Sequence, residues 1–236
     1  MRSPTQSSRR DFMCLSGMAA GLALSSTGSA IGQPAPARDP NAVLARLVEG
    51  NKRFVKGELT HPGRRPEDFV PLAEGQAPLA VIVGCADSRV SPELIFDQGV
   101  GDLFVVRVAG SVIGPLELAS IDYSMIYLGS VIIIVLGHEN CGAVDAVVRG
   151  NTQDIEAVAD IIRPAVKEAR ATSPENLLEM SVKTNARRMK ELLLDSPVIK
   201  QRVAEGKVEV HAAYYHLKTG VVELLKSPVV SGTHRK

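Results

Sequence analysis

The run Val131-Ile132-Ile133-Ile134-Val135-Leu136 constrains the fold more than any other stretch of this chain. Its β-branched residues favour an extended backbone. A strand that is apolar on both faces must be covered on both, as in the middle of a parallel sheet. A second run, Val81-Ile82-Val83-Gly84, reads the same way. Both discharge into reactive residues, the first into Gly137-His138-Glu139-Asn140-Cys141-Gly142 and the second into Cys85-Ala86-Asp87-Ser88-Arg89. In open parallel sheets, sites form at the carboxyl ends of strands. Extended backbone past Gly84 would place Cys85, Asp87 and Arg89 on one side. Cys85, His138 and Cys141 offer ligands for zinc with one coordination position left open, the arrangement of a catalytic rather than a structural centre. Beside them, Asp87 and Arg89 are suited to paired hydrogen bonds.

Either motif alone is weak. Cys-x-Asp-x-Arg is short, and His-x-x-Cys also fits half of a structural zinc site. Together, at the ends of two buried strands, they specify much more.

The remaining pattern is that of an α/β chain: a mostly parallel sheet flanked by helices, with an antiparallel edge from the C-terminal strand. Asn41 is expected to cap a helix to about Lys56, with Val43, Leu44, Leu47, Val48 and Phe54 as its apolar stripe. The breakers in His61-Pro62-Gly63-Arg64-Arg65-Pro66 predict a loop with a solvated His61. Strands are expected at Leu79–Val83, Asp102–Val108, Val131–Leu136, Val208–Tyr214 and Val221–Leu225. Ser91-Pro92 opens a short helix. Gly114-Pro115 starts a helix through Leu128, with Leu116, Ala119, Tyr123, Ile126 and Tyr127 at its apolar positions. A helix from Gly142 to Val148 puts Cys141 at a helix N-terminus, which favours the thiolate a metal requires. Further helices are expected at Ile155–Arg170, kinked or divided at Pro164, at Pro174–Leu194, and from Pro197 to about Glu205.

A net charge of +1 and the lack of a basic stripe give no support for a nucleic-acid partner. With three cysteines, two of them assigned to metal, this is no disulfide scaffold. Residues 1–37 read as an address. Arg9-Arg10 precede a weakly apolar stretch, Leu15–Leu24, too short and too small for a membrane span, and small residues come after it at Gly28-Ser29-Ala30 and Ala35-Pro36-Ala37. This resembles a twin-arginine (Tat) export signal, with cleavage after Ala30 or Ala37. The expectation is a bacterial periplasmic or secreted protein whose zinc is loaded before export, with residues 38–236 as the folded domain and no stable membrane span in the mature form.

The segments Glu49-Gly50-Asn51-Lys52-Arg53-Phe54, Gly75-Gln76-Ala77-Pro78, Cys85–Arg89, Phe104-Val105-Val106-Arg107 and Gly137–Gly142 resemble the β-class carbonic anhydrases, from about Asn41 to Leu225. The resemblance implies reversible hydration of CO2 to bicarbonate and a proton, with one Zn2+ per subunit on Cys85, His138 and Cys141. It implies attack by a zinc-bound hydroxide, with Asp87 accepting its hydrogen bond and Arg89 keeping Asp87 ionised and oriented. It also implies a homodimer or dimer of dimers, an N-terminal arm lying across a partner, and a substrate pocket containing Gln76, Phe104, Tyr123 and the Gly142 N–H. One of the aromatic residues would reach across the subunit interface. By core spacing alone, Phe104 and Tyr123 are ordinary core residues.

Departures are Ser111, where the family often has Asn, and Glu139, where Ser is more common. The absence of Trp leaves no place for the Trp-containing bicarbonate regulatory site of some members. His211, His216 and His234 are given no proton-shuttle role. The alternatives are hydrolysis of CS2 or COS on the same scaffold, a zinc module without turnover, and a thiol-redox protein. A closed structural site would need a fourth protein ligand, and redox chemistry lacks its Cys-x-x-Cys spacing.

Overall fold

The structure is a computed structural model and describes residues 38–226. The twin-arginine segment with Arg9 and Arg10, the cleavage candidates Ala30 and Ala37, and His234 lie outside the described residues. No helix among the described residues is long and apolar enough to cross a membrane.

A five-stranded sheet has the order β2-β1-β3-β4-β5, with β1 Ala80–Gly84, β2 Leu103–Arg107, β3 Ile132–His138, β4 Glu209–Tyr215 and β5 Val222–Leu225. The first four run parallel, and β5 pairs antiparallel with β4. Every residue of β1 and β3 is buried, as their unbroken apolar runs require. One face carries Val81, Val83, Ile133 and Val135 against Val144, Ile162 and Val182. The other carries Ala80, Ile82, Ile132 and Ile134 against Val43, Leu47, Ile95 and Phe96. Each fully buried aliphatic side chain contributes about 2 kcal/mol, so the two cores together hold the layers shut.

Helix α1 (Pro40–Lys56) is capped by Asp39, whose Oδ1 accepts from the Asn41 N–H at 3.1 Å, rather than by Asn41 itself. It packs on its own domain: Asn51 donates to the Ile95 and Gly220 carbonyls, and its Oδ1 accepts from the Val222 N–H. After a short helix α2 (Pro66–Phe69) and a 3-10 turn, the chain enters β1. Helix α3 (Pro92–Ile95) begins after Ser91, although the Ser91 side chain makes no capping bond.

Helix α4 (Pro115–Tyr123) continues as a π-helical turn, Ser124–Leu128. Its buried positions are Ile121, Ser124 and Met125, whereas Leu116, Ala119, Tyr123, Ile126 and Tyr127 face outward. The apolar stripe expected to pack inward is therefore the exposed one. The helix is apolar on both sides, and only the tertiary packing chooses between them.

Helices α5 (Gly142–Arg149), α6 (Glu156–Thr172), α7 (Leu177–Asp195) and α8 (Pro197–Ala204) lie between β3 and β4 in the chain. Pro164 lies inside α6 without dividing it.

Candidate metal centre

The parallel register sets Gly84, the last residue of β1, beside Leu136 of β3, and β3 runs on to His138. Cys85 thus leaves one strand where His138 leaves its neighbour. Asn140 takes a left-handed φ of 52°, and the chain reverses so that Cys141 caps α5. Asn is among the few residues that tolerate this conformation. The ligand atoms of Cys85, His138 and Cys141 all lie within 4.8 Å of one another, and all three residues are buried. Their sulfurs are 4.0 Å apart.

His138 decides what the cluster fits. Its Nδ1 lies 3.0 Å from the Glu139 carbonyl, so that nitrogen carries the proton and donates it there. Its Nε2 is then a bare acceptor, buried with no hydrogen-bond partner among the described residues. A buried acceptor left unpaired costs about 1–3 kcal/mol, and an imidazole lone pair within 4.8 Å of two thiol sulfurs suits a soft-ligand cation such as zinc.

The two sulfurs do not behave alike. The hydrogen bond from Cys141 holds the Cys85 thiol well below the usual thiol range, against the opposing effect of burial. Cys141 is pushed up by the proton it shares with Cys85 and by burial. The Ala143 and Val144 N–H groups at the start of α5 do act on Cys141 in the sense expected of a helix N-terminus, but the neighbouring thiolate outweighs them.

Asp87 and Arg89 come together by a turn, not by continued extension. The strand ends at Gly84, and the Val90 N–H returns to the Asp87 carbonyl at 3.0 Å. Arg89 meets the Asp87 carboxylate through Nε at 2.9 Å, Nη2 at 2.7 Å and its own backbone N–H at 3.0 Å. These bonds hold the Asp87 carboxyl well below the usual carboxylate range. Its Oδ2 faces the cluster, 3.9 Å from His138 Nε2.

Two supports were not singled out in the sequence as site residues. Arg107, ending β2, donates to the Cys85 carbonyl at 2.9 Å and the Asp87 carbonyl at 2.6 Å. The Gly110 N–H donates to Cys85 Sγ at 3.3 Å. The signal for Arg107 was present, since a charged residue closing a strand beside β1 must reach that end of the sheet.

The expected pocket residues divide. Gly142 comes directly after Cys141 and is exposed. Phe104 pairs with Val81, deep along β1 rather than at its carboxyl end, and stacks with Tyr123 at a centroid distance of 6.5 Å. Gln76 is exposed in the segment before β1, whose next residues are tied by Arg38 to the Ala77 and Pro78 carbonyls. Phe104 thus sits beside the start of β1, away from the Cys85 end of that strand. Glu139 turns toward the β4–β5 turn, where its Oε2 accepts from the Lys218 N–H at 3.2 Å.

A family model described as carbonic anhydrase matches residues 80–222, more than half of the chain. The chain belongs to the β-class carbonic anhydrase family. It is 38% identical over 191 residues to carbonic anhydrase 2 of Mycobacterium tuberculosis, covering 78% of this chain and 92% of that one. To the carbonic anhydrase of Mycolicibacterium smegmatis it is 36% identical over 195 residues, covering 80% and 95%. Among solved structures, the β-carbonic anhydrase CcaA superposes with a TM-score of 0.63 at 30% identity, covering 77% of this chain and 94% of that one. As a carbonic anhydrase the chain is an enzyme of CO2 hydration, and the cluster at the ends of β1 and β3 is its candidate centre.

Proposed function

We propose that Cys85, His138 and Cys141 hold one zinc ion per subunit, and that Asp87, ordered by Arg89, is the catalytic acceptor in the hydration of CO2. The observation that carries this reading is the buried, unpartnered Nε2 of His138 facing two thiols. Bound zinc supplies a Lewis acid that activates water near neutral pH, a role of which carbonic anhydrase is itself the usual example.

The chain's own groups do the rest. His138 presents Nε2 because Glu139 engages Nδ1. Asp87, kept ionised, has only lone pairs to offer, so its free edge accepts a hydrogen bond and turns the attacking oxygen's lone pair toward the CO2 carbon. Arg89 holds that carboxylate and also donates to the Asn140 carbonyl at 3.3 Å, between His138 and Cys141, and Arg107 fixes the backbone that carries Asp87. Gly142, exposed directly after Cys141, would donate its N–H to a substrate oxygen.

The active form is proposed to be a homodimer or a dimer of dimers. Leu116, Tyr123, Ile126 and Tyr127 form an exposed apolar surface beside the edge strand β2, and the exposed Gln76 and the Phe104 paired with Val81 are read as pocket residues of a neighbouring subunit's centre. A partner would bring them, with Tyr123, to it. Twin-arginine export of the folded, zinc-loaded protein to the periplasm is proposed from Arg9-Arg10 and the residues after it. Changing both to Lys should abolish export, and unchanged periplasmic yield would refute it.

The deciding experiment is stopped-flow CO2 hydration with measured zinc content. Two thiolates offset the charge of the ion, so turnover should be faster near pH 9 than near pH 7, and should collapse in Asp87→Ala. Full zinc occupancy without CO2 turnover at either pH would overturn the reading.

A further inference from the structure

Helix α7 sends one buried polar side chain to the loop that serves the Cys85 sulfur. Asn185 is 2% exposed, and its Nδ2 donates to the Gly110 carbonyl at 2.9 Å. Gly110 sits in a 3-10 turn, Ala109–Ser111, with a left-handed φ of 73°, and its N–H points at Cys85 Sγ. The turn is tied down on three sides. Val108 N–H donates to the Gly84 carbonyl of β1, Ser111 Oγ to the Leu136 carbonyl of β3, and Asn185 supplies the tie from α7. A Cβ on Gly110 would come within 2.7 Å of Ile162 Cδ1, so the turn is also pressed against α6.

We propose that Asn185 is a positioning residue of the metal centre. By holding the Gly110 carbonyl it keeps the Gly110 N–H aimed at the Cys85 sulfur, and so sets how much charge that thiolate gives to the metal. A hydrogen bond to a ligating sulfur draws electron density from it, as partners of metal ligands do generally. Without that bond the sulfur donates more strongly and the ion becomes a weaker Lewis acid. Nothing else in the arrangement asks for an amide here. The Asn185 Oδ1 has no partner among the described residues, so the side chain is held in its buried place by the single bond from Nδ2.

This rests on Cys85 being a metal ligand, and cobalt substitution separates the two ideas. The Co(II) protein should show thiolate-to-metal charge-transfer absorption. Asn185→Leu keeps the volume and removes the donor; Asn185→Asp keeps the shape and turns an acceptor toward the Gly110 carbonyl. Both should move that band to longer wavelength at unchanged metal content, and the zinc forms should lose about tenfold in kcat/KM. A band that stays in place in folded variants overturns the assignment, whatever happens to activity or Tm, because a merely structural amide would not move it. No thiolate band in the unaltered protein would overturn the metal reading itself. In the unaltered 113Cd-loaded protein, a coupling between cadmium and the Gly110 amide proton is expected, and its absence also overturns the proposal without depending on any variant folding.

Discussion

Arg89 grips Asp87 across one intervening residue, with Nε on Oδ1 at 2.9 Å and Nη2 on Oδ2 at 2.7 Å, while the carboxylate keeps an edge toward His138 Nε2. The planar guanidinium makes both contacts at once, which an ammonium cannot. Arg89→Ala should therefore lower kcat/KM by about 10–100-fold at unchanged zinc content. Arg89→Lys should recover only part of the loss. Stopped-flow hydration on metal-quantified samples checks both.

If zinc fills the cluster as proposed, chelating it would leave His138 Nε2 buried without a partner among the described residues. Exhaustive chelation should lower Tm by more than about 5 °C, since a ligand bound only by the folded state stabilises it. Zinc should restore the value and magnesium should not, because thiolates and imidazole suit a soft ion and not a hard one. Differential scanning calorimetry reads the result.

Asp97 is a buried carboxylate that accepts from Arg53 Nε at 2.7 Å and from Thr60 and His61. Burial alone would raise it, but these donors prevail and hold it at about 2, below its ordinary 3.8. A carboxyl depressed in the folded state stabilises above its unfolded value and loses that contribution as pH falls. The contribution, about 2 kcal/mol, should fade between about pH 4 and pH 2. Asp97→Asn should be the less stable protein at pH 7, and its deficit should shrink through that window. Urea unfolding of the metal-free forms at a series of pH values tests the sign.

Gly50 and Asn51 fasten α1 to the domain. A Cβ at Gly50 would overlap the Phe96 carbonyl oxygen, which is backbone and cannot swing aside. Gly50→Ala should cost about 3 kcal/mol, at the upper end for overpacking. Asn51→Leu strands the Ile95 and Gly220 carbonyls and the Val222 N–H, and should cost at least as much. Urea midpoints measure both.

Glu139 stands where the family more often has Ser, next to the ligand His138, yet its carboxylate is engaged at Lys218. Glu139→Ser should leave kcat/KM within about twofold, since the His138 contact is to the Glu139 backbone carbonyl and not to its side chain. A larger loss would show that the side chain acts on the centre.

The sequence by itself determined the sheet and the cluster of Cys85, His138 and Cys141 at its edge. Unbroken apolar runs at Val81–Gly84 and Val131–Leu136 have no stable place except a strand covered on both faces, and the residues just after such strands must lie at one edge of the sheet. Cys85, His138 and Cys141 were legible for that reason. Tertiary structure alone decided the rest. The stripe from Leu116 to Tyr127 faces outward because periodicity marks an apolar face without naming what it meets, and Ile121 and Met125 supplied a second face. Asp97 could not be read as buried, since a lone Asp becomes so only when Arg53 and the 60–61 backbone, far away in sequence, converge on it. The Asp87–Arg89 pair arose from a turn rather than from extension, because the ladder that would keep the backbone extended ends at Gly84. Asn185 and Gly110, 75 residues apart, meet only when α7 packs against the metal end of the sheet. Local pattern specifies which elements form, while long-range packing selects which of their polar groups are left to hold the centre in place.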